Sequence, residues 1–159
     1  MVLHSIPPVF DEHSEILILG SFPSVRSREE GFFYGHPQNR FWRVLATVLA
    51  REFPHTVEEK RRMLLENHVA LWDVIGSCEI EGSADVSIRD ARPNDVESLL
   101  SKTAIRRVFV NGKTAEKYYN RYLRERLGMD AICLPSTSPA NAAWSLERLI
   151  EAWQIVRKY

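Results

Sequence analysis

The sequence predicts an α/β protein, a three-layer α/β/α sandwich built around a mainly parallel four-stranded sheet. Three observations predict it. Short apolar runs of strand length recur along the chain, at Ile16-Leu17-Ile18-Leu19, Val69-Ala70-Leu71-Trp72, Ile105 to Val110 and Ala131-Ile132-Cys133-Leu134. Segments with apolar residues at helical spacing lie between them, so successive strands need right-handed crossovers and helices cover both faces of the sheet. No repeat, low-complexity tract or compositional shift marks a linker, so residues 1–159 are expected to form one domain.

The first strand covers 16–20 and breaks at Gly20-Ser21-Phe22-Pro23-Ser24. Residues 38–53 read as a helix because Phe41, Trp42, Leu45, Val48 and Leu49 share one stripe with a period near 3.6. A second helix over 57–67 carries Met63 and Leu64 in a charged background, and 69–74 is a strand bounded by Gly76. From Ser77 to Pro93 the chain is rich in Ser, Asp and Gly and reads as a loop, after which Asn94 can cap a helix over Asp95 to Ser101. Ile105 to Val110 is the third strand, turned by Asn111-Gly112 into a helix from Thr114 to Leu127. The fourth strand, 131–134, leads through Pro135-Ser136-Thr137-Ser138-Pro139-Ala140-Asn141 to a last helix striped by Leu146, Leu149, Ile150, Trp153 and Val156.

Composition bounds the function. Twenty-one basic and 21 acidic side chains cancel, which excludes a uniformly cationic surface and confines any polyanion contact to local groups. Such groups exist at Arg26, Arg28, Arg40 and Arg43, at Arg106, Arg107 and Lys113, and at Arg121, Arg124 and Arg126. No apolar run approaches a membrane span, and Met1-Val2-Leu3-His4-Ser5 lacks the basic and apolar regions of a signal peptide, so a cytoplasmic protein is expected. Cys78 and Cys133 read as reduced structural thiols and are too few for an all-cysteine metal site. His36 has no partner at metal-ligand spacing, so no metal and no cofactor is expected.

The loops after the first, third and fourth strands should meet at the carboxyl edge of the sheet, where open α/β folds place their ligands. They bring two side-chain amides, Asn39 and Asn111, several hydroxyls, the rings of Phe32, Phe33 and Tyr34, and no obvious charged acid–base pair. An amide offers a donor and an acceptor in one plane, which suits the edge of a nucleobase. Asp73 and Asp85 could serve as a base, but loop caps are the favoured reading.

Three motifs in order, Leu-Gly-Ser-Phe-Pro-Ser at 19–24, Asn-Arg-Phe-Trp at 39–42 and Ser-Thr-Ser-Pro-Ala-Asn at 136–141, resemble the uracil-DNA glycosylase superfamily, most closely its DNA-deoxyinosine (hypoxanthine-DNA) glycosylases. Gly31 to Trp42 also resembles the mismatch-specific branch. The resemblance implies a monofunctional base-excision-repair enzyme that hydrolyses the N-glycosidic bond of a base flipped from double-stranded DNA. It implies base binding by Gly20, Ser21, Phe22, Tyr34 and Asn111, and DNA contacts from Pro23, Ser24, Pro135, Ser136, Thr137, Ser138, Pro139 and Asn141. Phe22 stands where many members carry a water-activating Asp or Asn, which leaves Asn39 to position the water. Lys113 is the lone lysine near the motifs, so a Schiff-base step is disfavoured. A uracil or xanthine glycosylase and a non-catalytic damaged-DNA or nucleotide-binding module remain alternatives, and a monomer is expected.

Overall fold

The computed structural model describes residues 1–158. Strand β2 (Ile16–Gly20) lies at the centre of a fully parallel sheet with β3 (Val69–Asp73), β6 (Arg107–Asn111) and β7 (Ala131–Leu134), in the order β3-β2-β6-β7. Every residue of β2 is buried, as a strand covered on both faces requires. Its side chains alternate between two cores: Ile16 and Ile18 join one, and Leu17 and Leu19 the other.

The first core lies under α2 (Phe41–Val48), α3 (Val57–Glu66) and α7 (Leu146–Trp153), with Phe41 edge-on to Trp153 at 5.8 Å. The second is closed by α4 (Val96–Ser101) and α5 (Lys113–Tyr122), giving the three layers. Burying each such Phe, Leu or Val contributes about 1.5–3 kcal/mol, so the two faces together hold the sheet without staples.

The segment expected to be a loop over 77–93 is strand at both ends and irregular between them. Here β4 (Ile75–Glu79) pairs antiparallel with β1 (Val2–Leu3) and with β5 (Arg89–Pro93), making a second, three-stranded sheet. The sequence hides β5 because its residues are half-buried or exposed, so no apolar alternation marks it. A short helix, α1 (Val25–Glu30), also went unmarked; Ser24 caps its start and Gly31, at φ 74°, ends it. The helix expected over 38–53 begins only at Phe41, and that over 114–127 divides at Leu123 into α5 and α6 (Arg124–Leu127). Asp95, not Asn94, caps α4; the Asn94 amide instead donates to the carbonyls of Asp73 and Ile75.

The chain moves from β2 outward to β3 and then crosses back to β6, so the crossovers diverge on either side of β2. A crevice opens at such a switch point, outside the carboxyl ends of the strands. At this edge Asp73 ends β3, Gly20 ends β2 and Asn111 ends β6.

Candidate active site

A cavity of about 500 Å³ occupies the switch point, within the roughly 300–1,000 Å³ usual for small-molecule sites. Gly20 to Ser24 form one wall, Tyr34, His36 and Asn39 a second, Ser136 to Ala140 a third, and Ser83 to Val86 a fourth; Asp73 and Asn111 come from the strand ends. The structure thus brings Asn39 and Asn111 to one cavity, as the converging loops predict.

Backbone donors fix how the two amides face. Asn39 Oδ1 accepts from the Phe41 N–H at 2.9 Å and from the Thr137 hydroxyl at 2.9 Å, so both its lone pairs are taken and only Nδ2 is left for a ligand. Asn111 Oδ1 accepts from the Thr137 N–H at 3.1 Å, while its Nδ2 donates to Thr137 Oγ1 at 3.0 Å and to the Tyr34 hydroxyl at 3.2 Å. Both N–H bonds of Asn111 are therefore spent inside the protein. Its amide ties β6, the Tyr34 loop and the 135–141 loop together, and Oδ1, which accepts one bond, is the atom left to meet a base edge.

Thr137 is the centre of this network and is fully buried. Tyr34 takes a left-handed backbone at φ 53° and stacks one ring face on Phe41 at 4.1 Å, so only its other face can meet a base. Burial, and secondarily the Asp73 carboxylate, push the Tyr34 phenol far above its ordinary pKa and keep it protonated.

Several other residues expected at the DNA also make hydrogen bonds within the protein. Pro23 is buried, and Ser24 Oγ accepts from the Ser27 N–H at 3.1 Å as the α1 cap. In the later loop Pro135 accepts from Trp153 Nε1, Ser136 Oγ from the Ser138 N–H and Ser138 Oγ from the Ala140 N–H, while Asn141 Nδ2 donates to the Ser136 carbonyl. Arg40 clamps this loop by donating to the carbonyls of Trp144, Ser138 and Asn141, so its cation serves the fold. Ser145 caps the last helix, its Oγ accepting from the Arg148 N–H. What the loop leaves exposed is its tip, Pro139 and Ala140.

Across the mouth stands Val86, 98% exposed on a turn that the sequence does not distinguish from any polar loop. Ser83, Gly82 and Asp85 tie that turn to the first loop through the Val25 N–H, Arg28 and the Ser21 hydroxyl.

Both carboxylates that the sequence offers as a possible base, Asp73 and Asp85, line the cavity. Asp73 lies 3% exposed, and its Oδ2 is 2.8 Å from His4 Nε2 on the N-terminal segment. His4 carries no signal in the sequence because 69 residues separate it from its partner. Asp85 lies at the mouth and accepts from Ser21 Oγ at 3.1 Å; withdrawal from water pushes its pKa up, the Ser21 hydroxyl opposes this, and Asp73 adds to the rise. Phe22 is a wall, packed edge-on against His4 at 5.9 Å with the Arg28 guanidinium 5.6 Å from its ring centre.

Close approach explains Gly20. A Cβ there would stand 2.5 Å from Asp73 Oδ1 and 2.8 Å from the Tyr34 hydroxyl, both held by other bonds. Gly20→Ala should therefore cost about 1–3 kcal/mol, a Tm loss of roughly 2–12 °C for a chain of this size. An unchanged melting curve would show that the two side chains move aside freely. The N–H groups of Ser21 and Phe22 just beyond find no protein acceptor among the described residues and are available to a ligand.

Among the described residues no helix is long and apolar enough to cross a membrane, and no group of three or more His, Cys, Asp or Glu is placed to hold a metal ion.

The model of the uracil DNA glycosylase superfamily matches residues 7–157. The chain is 35% identical over 161 residues, all of both proteins, to a protein of Methanosarcina acetivorans named hypoxanthine DNA glycosylase. It is 35% identical over 144 residues, 89% of each, to one of the same name in Methanosarcina barkeri. A solution NMR structure of a Methanosarcina acetivorans protein described as a uracil DNA glycosylase superposes with a TM-score of 0.84 at 36% identity, covering 99% of this chain and 98% of that one.

Proposed function

We propose, because this chain belongs to the uracil DNA glycosylase superfamily, that its cavity takes hypoxanthine, the base of deoxyinosine, flipped out of duplex DNA. The chain is a DNA glycosylase, a hydrolase of N-glycosyl bonds. The observation that carries the choice of base is the end-to-end similarity to relatives named for hypoxanthine. The cavity supports it with one free face of Tyr34 for stacking, two unspent backbone N–H groups and a buried carboxylate.

The arrangement suits a bond that breaks ahead of attack. Negative charge grows on the departing base and positive charge on the sugar, and preorganised donors stabilise the former without rearranging. The Ser21 and Phe22 N–H groups stand ready for that task. Asn39 keeps only its Nδ2, so it holds the attacking water by donating to the water oxygen and leaves a second lone pair for the sugar carbon. It cannot take the water's proton, which passes to solvent as the C1′–O bond forms, while the base leaves as an anion held by the Ser21 and Phe22 N–H groups. Extruding the nucleotide costs a few kcal/mol and is easiest at mispairs, which favours deaminated bases before any edge is read. Pro139 and Ala140 on one rim and Val86 on the other are the surfaces offered to the duplex.

No lysine lines the cavity among the described residues, which favours simple hydrolysis to an abasic site. A single-domain monomer acting where chromosomal DNA lies completes the reading.

Labelled duplexes with inosine, uracil or xanthine opposite each normal base test it. After incubation, alkali should break the inosine strand at the lesion, and without alkali the strand should stay whole. Faster breakage at uracil or xanthine would overturn the choice of base. Binding with no breakage at any lesion would overturn hydrolysis itself.

A further inference from the structure

We propose that Asp85, held at the mouth of the cavity by Ser21, is the counter-charge that stabilises the positive sugar as the base departs; this rests on the glycosylase reading above. Asp85 sits on an exposed turn, yet its carboxylate reaches in to accept from Ser21 Oγ at 3.1 Å and lines the cavity. The turn is held on either side of it. Ser83 Oγ accepts from the Val25 N–H at 2.9 Å, the Gly82 carbonyl from Arg28 at 2.6 Å, and Ser87 Oγ from the Glu81 N–H at 2.8 Å.

The other cavity carboxylate, Asp73, is met by His4 at 2.8 Å, whereas among the described residues no Lys, Arg or His forms an ion pair with Asp85. Arg28 spends its guanidinium on the Pro23 and Gly82 carbonyls. A carboxylate without a cation, at a mouth that receives DNA, repels the phosphates and works against binding. The balance reverses when the glycosidic bond breaks.

That bond, from C1′ to the base nitrogen, parts with its electron pair leaving on the base. The sugar carries positive charge until the water oxygen bonds to C1′ and releases its proton to solvent. Asp85 forms no bond and takes no proton in this sequence. With the base in the depth of the cavity, the sugar, still joined to the strand, stands at the mouth between the Asn39 wall and the Asp85 wall. Asn39 is neutral and cannot offset the charge. A fixed carboxylate there stabilises charge that exists only near the transition state, which raises the rate without raising affinity for the substrate.

Protonation removes the effect. Withdrawal from water raises the Asp85 pKa and Asp73 on β3 adds to the rise, while the Ser21 and Thr114 hydroxyls favour the ionised form. The other titratable groups that feel its charge are Tyr34, Cys78 on β4 and Tyr118 on α5; burial holds each above its ordinary value, so they stay neutral. A raised carboxyl pKa means that the charge is present at higher pH and is lost as pH falls through the raised value.

The test uses duplexes carrying a positively charged pyrrolidine in place of the sugar at the lesion, against the neutral tetrahydrofuran of the same shape. Wild-type protein should bind the pyrrolidine duplex about tenfold more tightly, and the preference should shrink as pH falls. Asp85→Asn keeps an oxygen for Ser21, and with it the turn. It should bind the two duplexes alike, excise inosine roughly 10- to 100-fold more slowly and hold the neutral duplex no less tightly than the wild type does. A merely structural Asp85 would leave the preference for the cation in place. A folded Asp85→Asn that keeps that preference, keeps wild-type excision or loses affinity for the neutral duplex would overturn the proposal.

Should the variant fail to fold, the wild type decides: equal binding of the two duplexes, or a preference that does not fall with pH, would overturn the proposal. Wild-type protein that excises no inosine would instead overturn the glycosylase reading on which it rests.

Discussion

Asn39→Ala should slow single-turnover excision of inosine roughly 100-fold, the loss typical of one donor aimed at a reacting centre, while duplex affinity stays near that of the wild type. The reason is the arrangement around the amide. Its oxygen is wholly engaged by the Phe41 N–H and the Thr137 hydroxyl, so Nδ2 is the group presented to the cavity. Removing the side chain also leaves those two donors short of a partner, at about 1–3 kcal/mol. Asn39→Asp separates the two effects: a carboxylate accepts both bonds and should restore the melting temperature, but it has no N–H to give and should leave excision slow. Excision by Asn39→Asp at or above the wild-type rate would mean that the water needs an acceptor, and the donor role would be wrong.

Thr137→Val should damage both stability and turnover without weakening DNA binding. The valine matches the threonine in shape but cannot donate to Asn39 Oδ1 or accept from Asn111 Nδ2. Leaving each of these two amides one bond short should cost about 1–3 kcal/mol and lower Tm by roughly 2–12 °C. Excision should fall with it, because the amide of Asn39 loses one of the two bonds that orient it. Thr137→Ser keeps the hydroxyl and should recover most of both. Were Thr137 a DNA contact, as the family resemblance implies, the valine variant would instead weaken duplex binding with little change in Tm. Binding curves at several salt concentrations separate the alternatives.

The layers of the fold were legible in the sequence because a strand buried on both faces must be apolar throughout, as Ile16-Leu17-Ile18-Leu19 is, and because Phe41, Trp42, Leu45 and Val48 repeat at helical spacing. Strand β5 was not legible, since Arg89-Asp90-Ala91-Arg92-Pro93 lies half in water and needs no apolar face. The three loops of the cavity could be named from strand ends and turn residues. Which way each side chain turns could not. Asn111, Thr137, Ser24 and Arg40 look available in the sequence, yet each is committed to neighbours distant along the chain. His4 and Asp73 show the opposite failure: ordinary residues in sequence, they become the buried pair at the cavity because β3 and the N-terminal segment happen to meet there.

A duplex carrying 2′-fluoro-deoxyinosine tests the central claim most directly, since the fluorine disfavours charge on the sugar and holds the substrate uncut. In a crystal of that complex the hypoxanthine ring should stand outside the helix, within the switch-point cavity against the free face of Tyr34, with Asn39 Nδ2 beside the sugar. A base still stacked in the duplex, or a duplex seated on another face of the protein, would contradict it.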